Sequence, residues 1–99
     1  MAEKVEDLTI TDVKDGIETP KELDKVILSK GSWTTIVYRY QDWDGRKEAY
    51  SPDKYTIRRY QKRNGEYRQQ SKFNISSAAQ AQGLIDALQG WLTQDSDQA

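Results

Sequence analysis

Ninety-nine residues, 35% of them hydrophobic and 31% charged, make one small domain with little apolar material to spare. The chain has no cysteine and no histidine, which excludes disulfides, thiolate and imidazole metal ligation, and the Ser-His-Asp and Cys-His catalytic arrangements. The formal charge of −1 conceals an uneven distribution: residues 31–72 hold ten Lys/Arg against five Asp/Glu, residues 1–30 five against eight, and residues 73–99 none against three.

Residues 1–30 read as an acidic N-terminal region, partly disordered or with a short helix near 20–29. Thr19-Pro20-Lys21-Glu22 carries a threonine cap, proline at the first helical position and glutamate at the third, and Leu23, Val26 and Ile27 follow at helical spacing. Residues 31–93 form the folded domain. Trp33 to Tyr40 is rich in β-branched and aromatic residues and predicts a strand. Asp42-Trp43-Asp44-Gly45 and Ser51-Pro52-Asp53 are turn signals. A second strand runs from Lys54 to about Lys62, Asn64-Gly65 marks a type I′ hairpin turn, and a third strand starts at Glu66 with a break near Ser71. Ser77-Ala78-Ala79-Gln80 is a capping box. The helix it opens runs to about Leu92, with Ala81, Leu84, Ile85, Leu88, Trp91 and Leu92 on one face. Residues 94–99 form a polar tail. The fold expected is α+β: a curved antiparallel sheet of about four strands followed by one amphipathic C-terminal helix, paired as a dimer to supply missing core. Leu84, Leu88 and Trp91 are the core or dimer contacts.

Strand alternation puts Tyr55, Ile57 and Arg59 on one side of the second strand and Thr56, Arg58, Tyr60 and Lys62 on the other. On the third strand it groups Tyr67, Phe73 and Ile75 against Arg68, Gln70, Lys72 and Asn74. A sheet face of Arg, Lys, Tyr and amide side chains suits single-stranded nucleic acid, because the cations neutralise phosphates and exposed rings stack unpaired bases. The bland reading is a solvated face of an antiparallel sheet. Duplex readout has no vehicle, since the C-terminal helix carries no Lys or Arg.

Ile57-Arg58-x-Tyr60, Gly65-Glu66-Tyr67-Arg68 and Lys72-x-x-Ile75-Ser76 before a capped helix resemble the C-terminal domain of the positive cofactor four family of transcriptional coactivators, over roughly residues 33–92. The resemblance implies a dimer that binds single-stranded or melted DNA along its β surfaces, and it places Arg58, Tyr60, Arg68 and Lys72 at the family's motif positions. Trp33, Tyr38, Arg39 and Lys62 join them by composition and alternation, with Tyr38, Tyr60 and Trp33 as stacking platforms. The serine-rich N-terminal region of the eukaryotic members is replaced by an acidic one.

The expectation is therefore a homodimer that binds single-stranded nucleic acid, DNA in preference to RNA, with no enzymatic activity, cofactor, metal or membrane partner. Its expected location is cytoplasmic, nucleoid-associated, or nuclear in a eukaryote. Two rivals stand beside it: a purine-rich-element type of single-strand binder, and a protein–protein adaptor without nucleic acid. The acidic N-terminal region is a third element, a candidate competitor for the basic sheet.

Overall fold

The computed structural model describes residues 4–98, with side chains described through residue 94. A 3₁₀ turn, Val5–Asp7, precedes a small hairpin of β1 (Val13–Lys14) and β2 (Ile17–Glu18). Two long strands follow, β3 (Lys21–Ser29) and β4 (Trp33–Gln41), then a second small hairpin of β5 (Trp43–Asp44) and β6 (Ala49–Tyr50). The long strands β7 (Lys54–Arg63) and β8 (Glu66–Ile75) come next, and α1 (Ala78–Gln98) ends the chain. The main sheet is an antiparallel meander in the order β3-β4-β7-β8. The architecture is α+β, a four-stranded antiparallel sheet with one C-terminal helix. Among the described residues no helix is long and apolar enough to cross a membrane.

Local chemistry explains the well-anticipated parts. Asn64 and Gly65 turn with φ of +53° and +80°, the type I′ geometry that matches strand twist. Ser77 Oγ accepts from the Gln80 amide at 3.1 Å, which is the serine half of the capping box, and Gln80 Oε1 accepts from the amide of Ser76, the residue before the cap, at 2.9 Å. The helix continues past Leu92 to Gln98, so the polar residues from 94 onward extend it; residue 99 and the side chains from 95 lie outside the described residues.

The N-terminal third differs from the expectation. The segment expected as a helix near 20–29 is the edge strand β3. The Thr19 hydroxyl accepts from the Trp43 amide at 3.0 Å instead of capping, and Glu22 Oε1 accepts from Thr9 Oγ1 at 2.7 Å. The helical spacing of Leu23, Val26 and Ile27 is produced by a strand whose register against β4 shifts between Glu22 and Asp24 and again between Ile27 and Ser29. Each bulge breaks period-two alternation and mimics a helical one. The β-branched pair Val26-Ile27 then follows its strand preference.

The boundary at residue 31 also disappears. Val5, Leu8 and Ile10 are buried against Ile36, Tyr38, Tyr40, Tyr60 and Tyr67, with Ile27 packed beside them. The segment lies across the sheet as a strap. Lys25 Nζ donates to the backbone oxygens of Glu6 at 2.7 Å and Leu8 at 2.6 Å, and the Glu22 amide donates to Thr11 Oγ1 at 2.9 Å. Residues 1–3, the start of the acidic region, lie outside the described residues.

Candidate nucleic-acid interface

Register divides the sheet into two functional faces. β4 presents Thr34, Ile36, Tyr38 and Tyr40 to the strap, all buried, and Trp33, Thr35, Val37 and Arg39 to the other side. Pairing of β4 with β7 adds Thr56, Arg58 and Tyr60 to the strap face, opposite Tyr38, Ile36 and Thr34. Tyr55, Ile57, Arg59 and Gln61 join the opposite, helix face, where α1 stands.

β8 departs from simple alternation. Tyr60 pairs with Gln69 while Arg59 pairs with Ser71, so Gln70 is an extra residue. The bulge falls beside Ser71, at the break that the sequence predicts, and it reverses the sidedness of everything before it. Tyr67 therefore shares the strap face with Lys72 and Asn74, whereas Arg68 shares the helix face with Phe73 and Ile75. The sequence grouping of Tyr67 with Phe73, and of Arg68 with Lys72, is corrected by this one inserted residue.

The sequence-chosen residues consequently separate. Tyr38, Arg58, Tyr60, Lys62 and Lys72 occupy the strap face, and Trp33, Arg39 and Arg68 the helix face. Tyr38 and Tyr60 are corrected as stacking platforms. They are 0% and 4% exposed under the strap, with their hydroxyls 2.9 Å apart, and no base reaches a ring in that position. Arg58 is half-buried, its Nε donating to Thr56 Oγ1 at 3.1 Å and its Nη1 to Gln69 Oε1 at 2.7 Å. Thr56 Oγ1 in turn donates to Asn74 Oδ1 at 2.8 Å, so a polar ladder crosses the open half of this face. Lys62 Nζ lies 5.5 Å from the Tyr67 ring centroid, and Lys72 is exposed.

On the helix face the Arg59 guanidinium lies 4.7 Å from the Trp33 ring centroid, while Trp33 remains 42% exposed. Arg59 is not among the sequence-chosen residues. Only the β4–β7 register, which sets Thr35 against Arg59 and Trp33 against Gln61, brings the pair together, and no local motif encodes it. Arg63 projects from the same face and is exposed. Arg39 and Arg68 are less free: Arg39 Nη1 is 3.6 Å from Asp53 Oδ2, and Arg68 Nη2 is 3.7 Å from Glu66 Oε2. Leu84 is half-buried, but Leu88 and Trp91 are 47% and 64% exposed, so within one chain they are not core.

The β7–β8 hairpin, residues 54–75, carries seven Lys/Arg and one Glu. Lys54 is paired with Asp42 at 3.1 Å and Arg68 with Glu66. Among the described residues Arg58, Arg59, Lys62, Arg63 and Lys72 have no carboxylate partner. The hairpin is thus a two-sided cationic ribbon, with the half-exposed indole of Trp33 beside it on β4. No group of three or more candidate metal ligands occurs among the described residues. Set against protein-family models, curated proteins and solved structures, the chain matches none.

The buried tyrosine pair has a pH consequence. Burial, and for Tyr38 also the hydrogen bond to Tyr60, pushes the Tyr38 hydroxyl far above its ordinary value, and burial raises Tyr60. A raised folded-state pKa favours the neutral form. The stability it contributes is complete below the unfolded tyrosine value of about 10 and is lost as pH rises above it, by up to about 1.4 kcal/mol per pH unit per tyrosine. Urea midpoints measured across the alkaline range should fall above pH ~10. Tyr38→Phe combined with Tyr60→Phe should flatten that fall, and an unchanged slope would mean that the pair is open to water.

Proposed function

We propose that this chain binds single-stranded nucleic acid, DNA in preference to RNA, as a homodimer of the positive cofactor four type, and that it binds without catalysing a reaction. The observation that carries the reading is the pair of Trp33 on β4 and Arg59 on β7, 4.7 Å apart, at the edge of a hairpin whose other cations largely lack carboxylate partners among the described residues. Those free cations supply phosphate neutralisation and counterion release. Trp33 and the Arg59 guanidinium plane supply a platform for an unpaired base. A duplex offers no such free base face, and α1, lacking Lys and Arg, is no recognition helix.

Burial of Tyr38 and Tyr60 shifts the expected balance toward electrostatics. With one indole platform, affinity should depend steeply on salt and weakly on base identity. Fluorescence anisotropy with a labelled oligothymidine strand, at low salt and with the full chain, tests this directly. Saturable binding that weakens with added salt, and that exceeds binding to the same length of duplex, is expected. No binding at tens of micromolar protein would sink the reading in favour of the adaptor role.

A further inference from the structure

One row of the helix face crosses three strands: Trp33 of β4 pairs with Gln61 of β7, and Gln61 pairs with Arg68 of β8. Paired residues project from the same face, so an indole, a carboxamide and a guanidinium stand side by side over two interstrand spacings, ~10 Å. Arg59 and Arg63 flank Gln61 two residues away on either side, and so share its face. The residues of this hairpin that line the cleft with α1, Tyr55, Ile57 and Ile75, lie toward its other end. Trp33, Arg59, Arg63 and Arg68 are exposed and Gln61 is half-buried. Arg63 orients the carboxamide: its Nε donates to Gln61 Oε1 at 3.0 Å. A guanidinium has only donors, so it engages the carbonyl oxygen and leaves the two N–H groups as the free capacity beside the indole.

We propose that Gln61 reads the base stacked on Trp33 and selects keto bases, thymine, uracil or guanine, over adenine. This rests on the single-strand reading above and adds a base preference to it. A free carboxamide pairs with adenine through both of its groups, accepting from the N6 amino group and donating to N7. With Oε1 held by Arg63, the accepting half of that pair is taken. Adenine keeps a ring-nitrogen acceptor, but its amino group then faces a side chain with only hydrogens to offer. Thymine, uracil and guanine present carbonyl oxygens, which accept from Nε2 without that conflict.

The surroundings favour a nucleotide at this row. Glu66 holds one Arg68 nitrogen at 3.7 Å and lies opposite Arg63, so three cations face one carboxylate and phosphates are still attracted. The amides of the strap face offer no equivalent site. Gln69 and Asn74 accept from Arg58 and Thr56, but Tyr38, Tyr40, Tyr60 and Tyr67 on that face are buried and present no ring to a base. One neutral hydrogen bond is worth about 2- to 10-fold in affinity. The preference is therefore small beside the salt-dependent contribution of the cations.

Anisotropy titrations of the full chain with three labelled strands of equal length test the assignment. The strands are oligothymidine, oligodeoxyadenosine, and an oligothymidine analogue carrying difluorotoluene, a thymine-shaped ring with fluorines in place of carbonyls. Wild type should bind oligothymidine about 2- to 10-fold more tightly than the analogue, and Gln61→Ala should remove the difference. Arg63→Ala should weaken binding to every strand through the lost cation. It should also move the adenine-to-thymine affinity ratio toward adenine by about 2- to 10-fold, because Oε1 is released. Comparing that ratio between variants cancels the self-stacking of adenine strands. Lys62→Ala, on the strap face, should leave the ratio where it is, and a shift equal to that of Arg63→Ala would assign it to charge and overturn the proposal. Equal wild-type affinity for oligothymidine and its analogue, or a ratio unmoved by Arg63→Ala, would overturn Gln61 as the reader and leave single-strand binding standing. No binding to any strand would overturn the nucleic-acid reading, and this inference with it.

Discussion

Removing residues 1–10 is expected to unfold the domain instead of uncovering a binding face. Val5, Leu8 and Ile10 are 7%, 4% and 9% exposed, and burying such side chains stabilises by about 1.5–3 kcal/mol each. Together they contribute about 5–9 kcal/mol, against a total of about 5–15 kcal/mol for a domain of this kind. Deletion also bares Tyr38, Tyr40, Tyr60 and Tyr67, which with Ile36 are the sheet side of the same cluster. Far-UV circular dichroism and urea titration of the shortened chain should show loss of the cooperative transition. Leu8→Ala alone should cost about 2–5 kcal/mol. These magnitudes bear on the acidic segment as a competitor for nucleic acid: a ligand that displaced the strap would first have to offset that burial. A truncated chain that stays folded and binds more tightly would restore the competitor role.

The parts of the fold legible in the sequence are those set by local chemistry. Asn64-Gly65 fixes its turn by positive φ, Ser77 and Gln80 form the cap, and the β-branched run in β4 alternates without interruption. The parts that are not legible depend on partners far away in the chain. The bulges in β3 disguise a strand as a helix, and they are defined only by pairing with β4. Gln70 shifts the sidedness of β8, and nothing in its own neighbourhood announces that it is the extra residue. The strap is held by Lys25 and Glu22, eleven or more residues from the groups they bind, so its apolar landmarks are too sparse to signal a fold by themselves. Asp15-Gly16, with φ of +54° and +79°, is the available sign of order there. The site is half legible for the same reason: cation-rich composition is local, but which tyrosines are buried is decided by the strap.

Neutralising Arg58, Arg59, Lys62, Arg63 and Lys72 together is expected to abolish nucleic-acid binding while leaving the fold intact, since none has a carboxylate partner among the described residues and only Arg58 is half-buried. Each phosphate no longer neutralised on a single strand should flatten the log–log salt dependence by about 0.7. The five-fold variant should therefore give up to about 3.5 of slope if all five touch phosphate. Arg59→Ala should be the most costly single change, because it removes a cation and also uncovers one side of Trp33. Trp33→Ala should cost about 1–3 kcal/mol of stacking with little change of slope. Arg39→Ala should matter less than Arg59→Ala, its charge being partly answered by Asp53 at 3.6 Å. Tyr60→Phe separates structure from binding: the ring lies under the strap, so removing the 2.9 Å hydroxyl hydrogen bond with Tyr38 should lower stability while affinity stays unchanged. Anisotropy titrations at several salt concentrations, with urea midpoints on the same proteins, read both quantities. Wild-type affinity in the five-fold variant would remove the hairpin from the interface. Weakened affinity in Tyr60→Phe at full stability would put the ligand on the strap face.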